Sequence, residues 1–289
     1  MARASSRKLA EKKPPDFSPG ENTVGVALLP AAQISTLSGD PNFMTSLARG
    51  LAVIQAYSHA KLLLTISQLS VATGLSRAAV RRCMYTLGKL GLADSEDGRH
   101  FSLKPRILTL GHSYVASMPL AKIAQPVLDR VSQLLRESCS IGMLDGRDII
   151  HVANANVTRI LAIDLAIGSR VPALYTSMGR VLLAYLPPEE LESYLAHAEF
   201  TCYTERSISS ADKMREALLL VRRNGYALVD QELELGLRAI AVPIHNADGK
   251  GIAALNIGAH AQRVSVQDMV TKFLLQLQAA AQELSMLLK

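Results

Sequence analysis

The sequence predicts an α+β protein of two domains, with a small helical domain and hairpin followed by a connecting helix and a larger domain built around a sheet. Three observations predict this architecture. The 289 residues, 49% of them hydrophobic, are enough for two cores. Short amphipathic helices flank a glycine turn within 65–90, and strand-like runs separated by turn residues recur between 139 and 260.

The small domain has the pattern of a winged helix-turn-helix. TISQLSVATG (65–74) predicts a helix that begins at Thr65 and ends at Gly74. Ser76 is the predicted cap of a second helix, which runs to about Leu90 and ends at Gly91. The residues predicted to pack the two helices together are Leu69, Leu75, Val80 and Cys83. In LADSEDGRHFSL (92–103), Asp-Gly between two short runs predicts the hairpin that forms the wing.

Positive charge is concentrated in this domain. The chain has a formal net charge of +6, and residues 44–106 contain nine Lys and Arg against three Asp and Glu. Such a block is typical of a module that binds a polyanion. We expect double-stranded DNA to contact the outward face of the second helix and the wing, through Ser76, Arg77, Ala78, Arg81, Arg82, Tyr85 and Arg99.

Arginine suits both kinds of DNA contact, because its fork binds guanine O6 and N7 and its charge neutralises phosphates. We assign Arg77 and Arg81 to base edges, and Arg82 and Tyr85 to phosphates. The alternative is a basic surface helix that has no partner.

Residues 1–42 are predicted to form a flexible basic tail, since their proline, glycine and charged residues offer little to bury. The tail is either an arm that contacts DNA phosphates or a solvated leader. The remaining predicted units are the winged helix-turn-helix over 43–104, a linker helix over 105–118 and the larger domain over 119–289.

Several classes of protein are not expected. Cys83, Cys139 and Cys202 lie far apart without a CxxC pair, which disfavours a disulfide framework or zinc site and fits a reducing cytoplasm. No run predicts a membrane span or a secretory signal. No HExxH, GxSxG, P-loop or GxGxxG motif is present. We therefore expect no catalytic residues, no metal and no cofactor.

The larger domain begins with an amphipathic helix over 119–138 that contains Pro126. Three runs within 139–167 predict strands, and 210–225 predicts a capped helix. Asp248-Gly249 predicts a second hairpin. The last helix, about 265–288, is predicted to pack on 119–138 through an apolar stripe of Val270, Leu274, Leu277, Ala281, Leu284 and Leu288.

Taken together, three long segments resemble the IclR family of transcriptional regulators. They are TGLSRAAVRRCMYTLGKLGL in the small domain, and GSRVPALYTSMGRVLLA (168–184) and DQELELGLRAIAVPI (230–244) in the larger one. The last segment resembles the branch that controls protocatechuate and β-ketoadipate catabolism. The resemblance implies a GAF-like α/β effector-binding domain, a homodimer or dimer of dimers, and an activator of genes for aromatic-acid breakdown.

The resemblance also implies an effector pocket formed by Ile160, Ser177, Met178, Val229, Ala239, Asn256 and Gly258. Relatives that bind very small acids often have cysteine at the position of Ala239, so a larger acid than pyruvate is expected. Thr176 to Met178 open a helix whose free N–H groups favour a carboxylate, although Thr176 is equally explained as an N-cap. Arg159, Arg170 and Arg238 are unranked candidates for a positive partner, and a surface salt bridge is the alternative for each.

The expected effector is a small carboxylic acid, with β-ketoadipate first and protocatechuate or 4-hydroxybenzoate next. Two alternatives belong to other classes. A basic architectural DNA-binding protein would show no ligand-induced change in melting temperature. An enzyme on the GAF-like domain would turn over a candidate acid.

Overall fold

A computed structural model of the chain describes residues 31–37, 39–57, 61–157 and 166–288. Its elements agree with the predicted α+β class. The N-terminal part contains α1 (Ala31–Thr36), α2 (Thr45–Gln55), β1 (Leu64–Thr65), α3 (Ile66–Thr73), α4 (Arg77–Lys89), β2 (Ala93–Asp94) and β3 (His100–Leu103).

The helix-turn-helix forms where the capping residues predict it. The Thr65 side chain accepts a hydrogen bond from the Gln68 N–H at 3.2 Å, and α3 ends at Gly74, whose φ of 70° is in the left-handed region. Ser76 then caps α4 by accepting from the Ala79 N–H at 3.2 Å. Leu69, Leu75 and Val80 are buried between the helices as predicted, whereas Cys83 is only partly buried and Met84 lies in the core beside it.

The predicted wing is also present. β2 and β3 pair antiparallel, and β1 pairs with the other edge of β3, so three described strands form the order β1-β3-β2. At the turn, one carboxylate oxygen of Asp97 accepts hydrogen bonds from the Arg99 N–H at 2.8 Å and the His100 N–H at 2.7 Å. The turn is therefore fixed by its own aspartate.

The structure differs from the predicted tail at its C-terminal end. Residues 31–36 form α1, in which Ile34 is only 3% exposed. A Cβ placed on Gly74 would lie 3.1 Å from the Cβ of Ala31, so α1 packs against the turn between α3 and α4. One short helix with one buried hydrophobic residue carries too little periodicity to be read from sequence. Residues 1–30 of the predicted tail lie outside the described residues.

The rest of the chain forms the linker and the larger domain. Its elements are a 3₁₀ turn (Pro105–Leu108), α5 (Thr109–Ser117), α6 (Pro119–Leu135), β4 (Cys139–Asp145), β5 (Asp148–Ala155), β6 (Arg170–Pro172), a 3₁₀ turn (Ala173–Tyr175), α7 (Ser177–Ala184), α8 (Pro188–Ala196), α9 (Ala211–Asn224), β7 (Ala227–Asp230), β8 (Leu237–His245), β9 (Gly251–His260), α10 (Val266–Asp268), a π-helical turn (Met269–Phe273) and α11 (Leu274–Leu287).

Six of the described strands form one antiparallel sheet in the order β6-β5-β4-β9-β8-β7. α6 and α11 cover one face, around a core that includes Leu128, Leu255 and Leu277. α7 and α9 cover the other face, around a core that includes Met178 and Leu218. The predicted packing of the last helix on α6 is confirmed, because Leu274, Leu277, Ala281 and Leu284 are buried and Val270 and Leu288 pack at its margin.

The first two strand runs predicted within 139–167 are β4 and β5. Most of the third, RILAIDLAI (159–167), lies outside the described residues. The helix over 210–225 and the hairpin around Asp248-Gly249 form as predicted, as α9 and the β8-β9 pair. Within residues 31–37, 39–57, 61–157 and 166–288, every helix is too short or too polar to cross a lipid bilayer.

A buried ion pair joins α7 to the loop that follows β7. Arg180 donates to Glu232 through both guanidinium Nη atoms, at 2.7 Å for the Nη1 contact, and its Nε donates to the Leu174 carbonyl at 3.0 Å. The Glu232 carboxylate also accepts from the Ile208 N–H at 3.3 Å. Since an unpaired buried charge is costly, this pair holds the loop against the helix.

We predict that Arg180→Met lowers the free energy of unfolding by about 3–5 kcal/mol, because it leaves the Glu232 carboxylate buried without its cation. Urea denaturation measures the change. The double variant Arg180→Met, Glu232→Met should recover most of the loss, since it removes both charges.

The matched control is Arg215→Met, which breaks the exposed pair with Glu192 at 2.8 Å and should change stability little. Equal losses for Arg180→Met and Arg215→Met would show that the buried pair has no special role.

Candidate functional site

The first candidate site is the outward face of α4. All seven residues predicted to contact DNA are exposed, and Tyr85 keeps 67% of its surface accessible. Val80, Met84 and Leu87 point the other way and bury the inner face of the helix. The 3.6-residue period of α4 thus separates a packed side from a polar side.

The electrostatics of this face distinguish it from an ordinary charged surface. Among the described residues, Arg77, Arg81, Arg82 and Arg99 form no ion pair, whereas most arginines of the larger domain do. Lys89 lies 5.4 Å from the centre of the Tyr85 ring, which adds a cation at the same face.

The structure adds Arg49, which the sequence reasoning did not single out. It is exposed on α2. Burial raises the pKa of the nearby Cys83 thiol, and the charges of Arg49 and Arg82 partly oppose that shift. Only its place in the basic block 44–106 signalled it in the sequence.

The wing presents Arg99 beside a fixed acidic group. The His100 ring contacts Asp97 at 2.6 Å, and this contact, with the backbone bonds, holds the pKa of Asp97 well below its usual range. Because Asp97 is engaged with the turn, Arg99 remains exposed and without an acidic partner among the described residues.

The second candidate site is a cavity of about 350 Å³ between the sheet, the start of α7 and the loop after β7. Six of the seven predicted pocket residues line it. They are Ser177, Met178, Val229, Ala239, Asn256 and Gly258. The seventh, Ile160, lies outside the described residues, as does Arg159.

The sheet register brings residues together that are distant in sequence. Ala239 is paired with Val229 on one side and with Gly258 on the other, so the three form a row of small side chains on the cavity face. A Cβ on Gly258 would have its nearest neighbour at 3.8 Å, which leaves open space there. Next along β9, Asn256 accepts from the Ser140 hydroxyl at 2.7 Å.

Helix α7 begins at the cavity. The Thr176 side chain accepts from the Gly179 N–H at 3.2 Å, which is the N-cap that the sequence allowed. Ser177 and Met178 occupy the first turn, where backbone N–H groups have no partner within the helix. Gly142 lets Met178 approach, since a Cβ there would lie 2.9 Å from its sulfur. The capped first turn of α7 therefore borders the cavity.

Arg170 and Arg238, the two described candidates for the positive partner, do not line the cavity. Arg170 pairs with Asp148 at 3.1 Å and also with Asp145, and Arg238 pairs with Asp230 at 2.7 Å. Both arginines therefore match the alternative of a salt bridge. Their partners Asp148 and Asp230 lie on neighbouring strands of the sheet. A sequence alone does not show which strands are neighbours.

A different arginine lines the cavity. Arg263 forms a two-pronged pair with Glu137 at 2.9 and 3.1 Å, and both residues border the pocket. Burial raises the pKa of Glu137, and Arg263 opposes that shift. Residues 137 and 263 are far apart in the chain, so no local sequence pattern indicates this contact.

His151 is the other cavity residue that the sequence reasoning missed. It lies on β5 with no exposed surface, and neither ring nitrogen has a hydrogen-bond partner within the described ranges. Burial lowers its pKa to about 4, so the ring is neutral at pH 7. Within the same ranges, the Ser177 hydroxyl is also buried without a hydrogen-bond partner. The alternation of inward and outward side chains along β5 predicts that His151 points inward, but it does not indicate that His151 borders a cavity.

The chemistry of the cavity suits a small organic acid with an apolar body. Its walls combine aliphatic side chains with hydroxyl, amide, imidazole and helix N-terminal groups, which is the usual composition of a small-molecule pocket. In the part of the chain that the structure describes, no cluster of three or more His, Cys, Asp or Glu could hold a metal ion.

Comparison with known proteins matches two successive segments of the chain to one family. Residues 46–97 match the IclR helix-turn-helix domain, and residues 112–286 match the C-terminal domain of bacterial IclR transcriptional regulators. The first match contains α4, and the second contains every described residue that lines the cavity.

Individual relatives are similar over most of their length. The chain is 49% identical over 256 residues to the Pca regulon regulatory protein of Pseudomonas putida, covering 88% of each protein. It is 34% identical over 248 residues to the p-hydroxybenzoate hydroxylase transcriptional activator of Acinetobacter baylyi, covering 84% of this chain and 91% of the relative.

A solved structure resembles the larger domain. It is the inducer-binding domain of the PobR transcription factor from Acinetobacter, a double mutant in complex with 3-hydroxybenzoic acid. It is 33% identical, has a TM-score of 0.55, and covers 58% of this chain and 97% of that one. Both domain matches and these relatives lead to one conclusion: the chain belongs to the IclR family of bacterial transcriptional regulators.

Proposed function

We propose that the protein is a ligand-responsive transcription factor, an activator of genes for aromatic-acid catabolism. It binds double-stranded operator DNA through α4 and the wing, and a small carboxylic acid enters the cavity of the larger domain. The observation that carries the proposal is the outward face of α4 with Arg77, Arg81 and Arg82, here called the arginine face. It is exposed and has no acidic partner among the described residues. A polyanion supplies the missing negative charge.

The DNA contacts follow from positions on the helix. Arg77 and Arg81 lie toward the N-terminal half of α4 and read base edges in the major groove, as recognition helices do. The phosphates are contacted by Arg82, Tyr85 and Arg99. The N-terminal end of α4 also contains Ser76 and Ala78, beside Arg77. A role on operator DNA places the activity in the cytoplasm.

The proposed effector is β-ketoadipate, with protocatechuate and 4-hydroxybenzoate as the next candidates. Two relatives are regulators of the Pca regulon and of p-hydroxybenzoate hydroxylase, and the similar inducer-binding domain holds 3-hydroxybenzoic acid. A cavity of about 350 Å³ has room for an acid of this size.

A homodimer, or a dimer of dimers, is the proposed assembly. Two recognition helices related by a twofold axis match the two halves of a palindromic site. The effector acts by favouring one placement of the DNA-binding domains, which requires that it bind that arrangement more tightly than the other.

The first experiment is a mobility shift at fixed salt, with DNA from upstream of neighbouring aromatic-catabolism genes, with and without β-ketoadipate. The proposal predicts a specific complex whose affinity or mobility changes with the acid. Specific binding that ignores all three acids would favour an architectural DNA-binding protein, and turnover of an acid would favour an enzyme. Absence of sequence-specific binding would refute the role of the arginine face.

We predict different losses for Arg81→Ala and Arg82→Ala. Removing the base contact of Arg81 should reduce discrimination between operator and random DNA by about 1–3 kcal/mol. Removing the phosphate contact of Arg82 should weaken binding to all sequences alike and flatten the dependence of affinity on salt. Fluorescence anisotropy over a salt series separates the two effects.

The control is Arg222→Ala, which removes an equally exposed arginine from the last turn of α9. Its DNA binding should match that of the unmodified protein. If neither α4 variant differs from this control, the recognition helix has been misassigned.

We predict that Ala239→Leu abolishes the effector response and leaves DNA binding intact. The larger side chain fills the space between Val229 and Gly258 in the cavity. Thermal unfolding with and without each acid measures the response, and operator binding by the same variant tests its folding. An undiminished increase in melting temperature would place the effector elsewhere.

A further inference from the structure

His151 has no exposed surface, yet it borders the cavity. Neither of its ring nitrogens has a hydrogen-bond partner among the described residues. Its neighbour across the strand pair is Gly142, which has no side chain to offer one. A buried imidazole without partners costs free energy, and buried polar groups in native proteins usually form a hydrogen bond, for example with a ligand or a water.

A second polar residue, Ser177, borders the same cavity. Its hydroxyl is buried and has no hydrogen-bond partner in the described part of the chain, and Ser177 belongs to the first turn of α7, where the helix dipole favours negative charge. An imidazole, a hydroxyl and a helix N-terminus therefore border one cavity. This combination suits a carboxylate better than a neutral ligand.

We propose that His151 and Ser177 bind the carboxylate of the effector, and that His151 takes up a proton from solvent as the acid binds. The inference rests on the proposed effector pocket and adds to it the residues that recognise the anion and the coupling of binding to pH. The bound state is then an imidazolium paired with a carboxylate, so the proton taken up offsets the charge of that carboxylate.

The charges around His151 allow this coupling. The described titratable groups that border the same cavity are Tyr175, Cys139, Glu137, Arg263, Glu234 and His260. The permanent cation among them, Arg263, is already paired with Glu137. Burial alone lowers the pKa of His151, and none of these groups contributes to the shift.

An effector anion at hydrogen-bond distance would raise the pKa of His151, because a neighbouring negative charge favours the protonated imidazole. Between the pKa of free His151, about 4, and the raised pKa of the complex, binding must consume protons. The affinity for the anion should therefore increase as pH falls from 8 to 6, by up to about tenfold per pH unit.

The test is isothermal titration of the full chain with protocatechuate and with β-ketoadipate, in phosphate and in Tris at the same pH. Buffers that differ in ionisation enthalpy reveal the protons exchanged. We expect uptake approaching one proton per bound acid. His151→Gln should bind more weakly at pH 6, take up no proton and lose the pH dependence.

The control is His197→Gln, an exposed histidine that follows α8 outside the cavity. It should retain both the uptake and the pH dependence. Since a buried substitution can unfold a protein, operator binding tests the folding of His151→Gln. Nitrogen chemical shifts of labelled histidines in the unmodified protein give a second measurement, with His151 neutral when free and protonated when bound at pH 7.

The outcomes separate the two proposals. Binding without proton uptake, or a His151 ring that stays neutral in the complex, overturns this inference and leaves the effector pocket in place. Uptake that persists in His151→Gln also overturns it. An unmodified protein that binds neither acid overturns the effector pocket, and this inference with it.

Discussion

The ion pair between Arg180 and Glu232 joins two of the elements that line the cavity. Arg180 lies one turn after Ser177 on α7, and Glu232 belongs to the loop that supplies Leu233, Glu234 and other lining residues. Charges this deeply buried are tolerated only in pairs with good geometry. The pair therefore holds this loop against α7 beside the cavity.

The two halves of the molecule use arginine in opposite ways. In the larger domain, Arg170, Arg180 and Arg238 are held by carboxylates and help to define the structure. On α4, the arginines are left without internal partners, so their charge is available to another molecule. This division explains why the net charge of the chain comes from the block 44–106.

The sequence predicted well whatever depends on neighbours along the chain. The caps at Thr65 and Ser76 and the positive φ of Gly74 follow from local rules, and they place the arginine face correctly. The cavity required more. Six of its residues were found through family resemblance, since no local pattern joins Ser177 to Gly258.

What the sequence did not predict depends on the register of the sheet. His151 looked like an ordinary inward strand residue, and only the folded structure shows that it borders a cavity together with the start of α7. The same applies to Arg263, whose partner Glu137 lies at the end of a distant helix. Predicting such contacts requires the tertiary structure.

The glycine at position 258 gives the pocket an adjustable volume. Its neighbours leave space for a Cβ, unlike Gly142, where a Cβ would meet Ile149 at 2.4 Å. A methyl group can therefore be added on the floor of the cavity without moving the backbone. An alanine at this position would narrow the cavity by one carbon atom and leave the sheet that carries it unchanged.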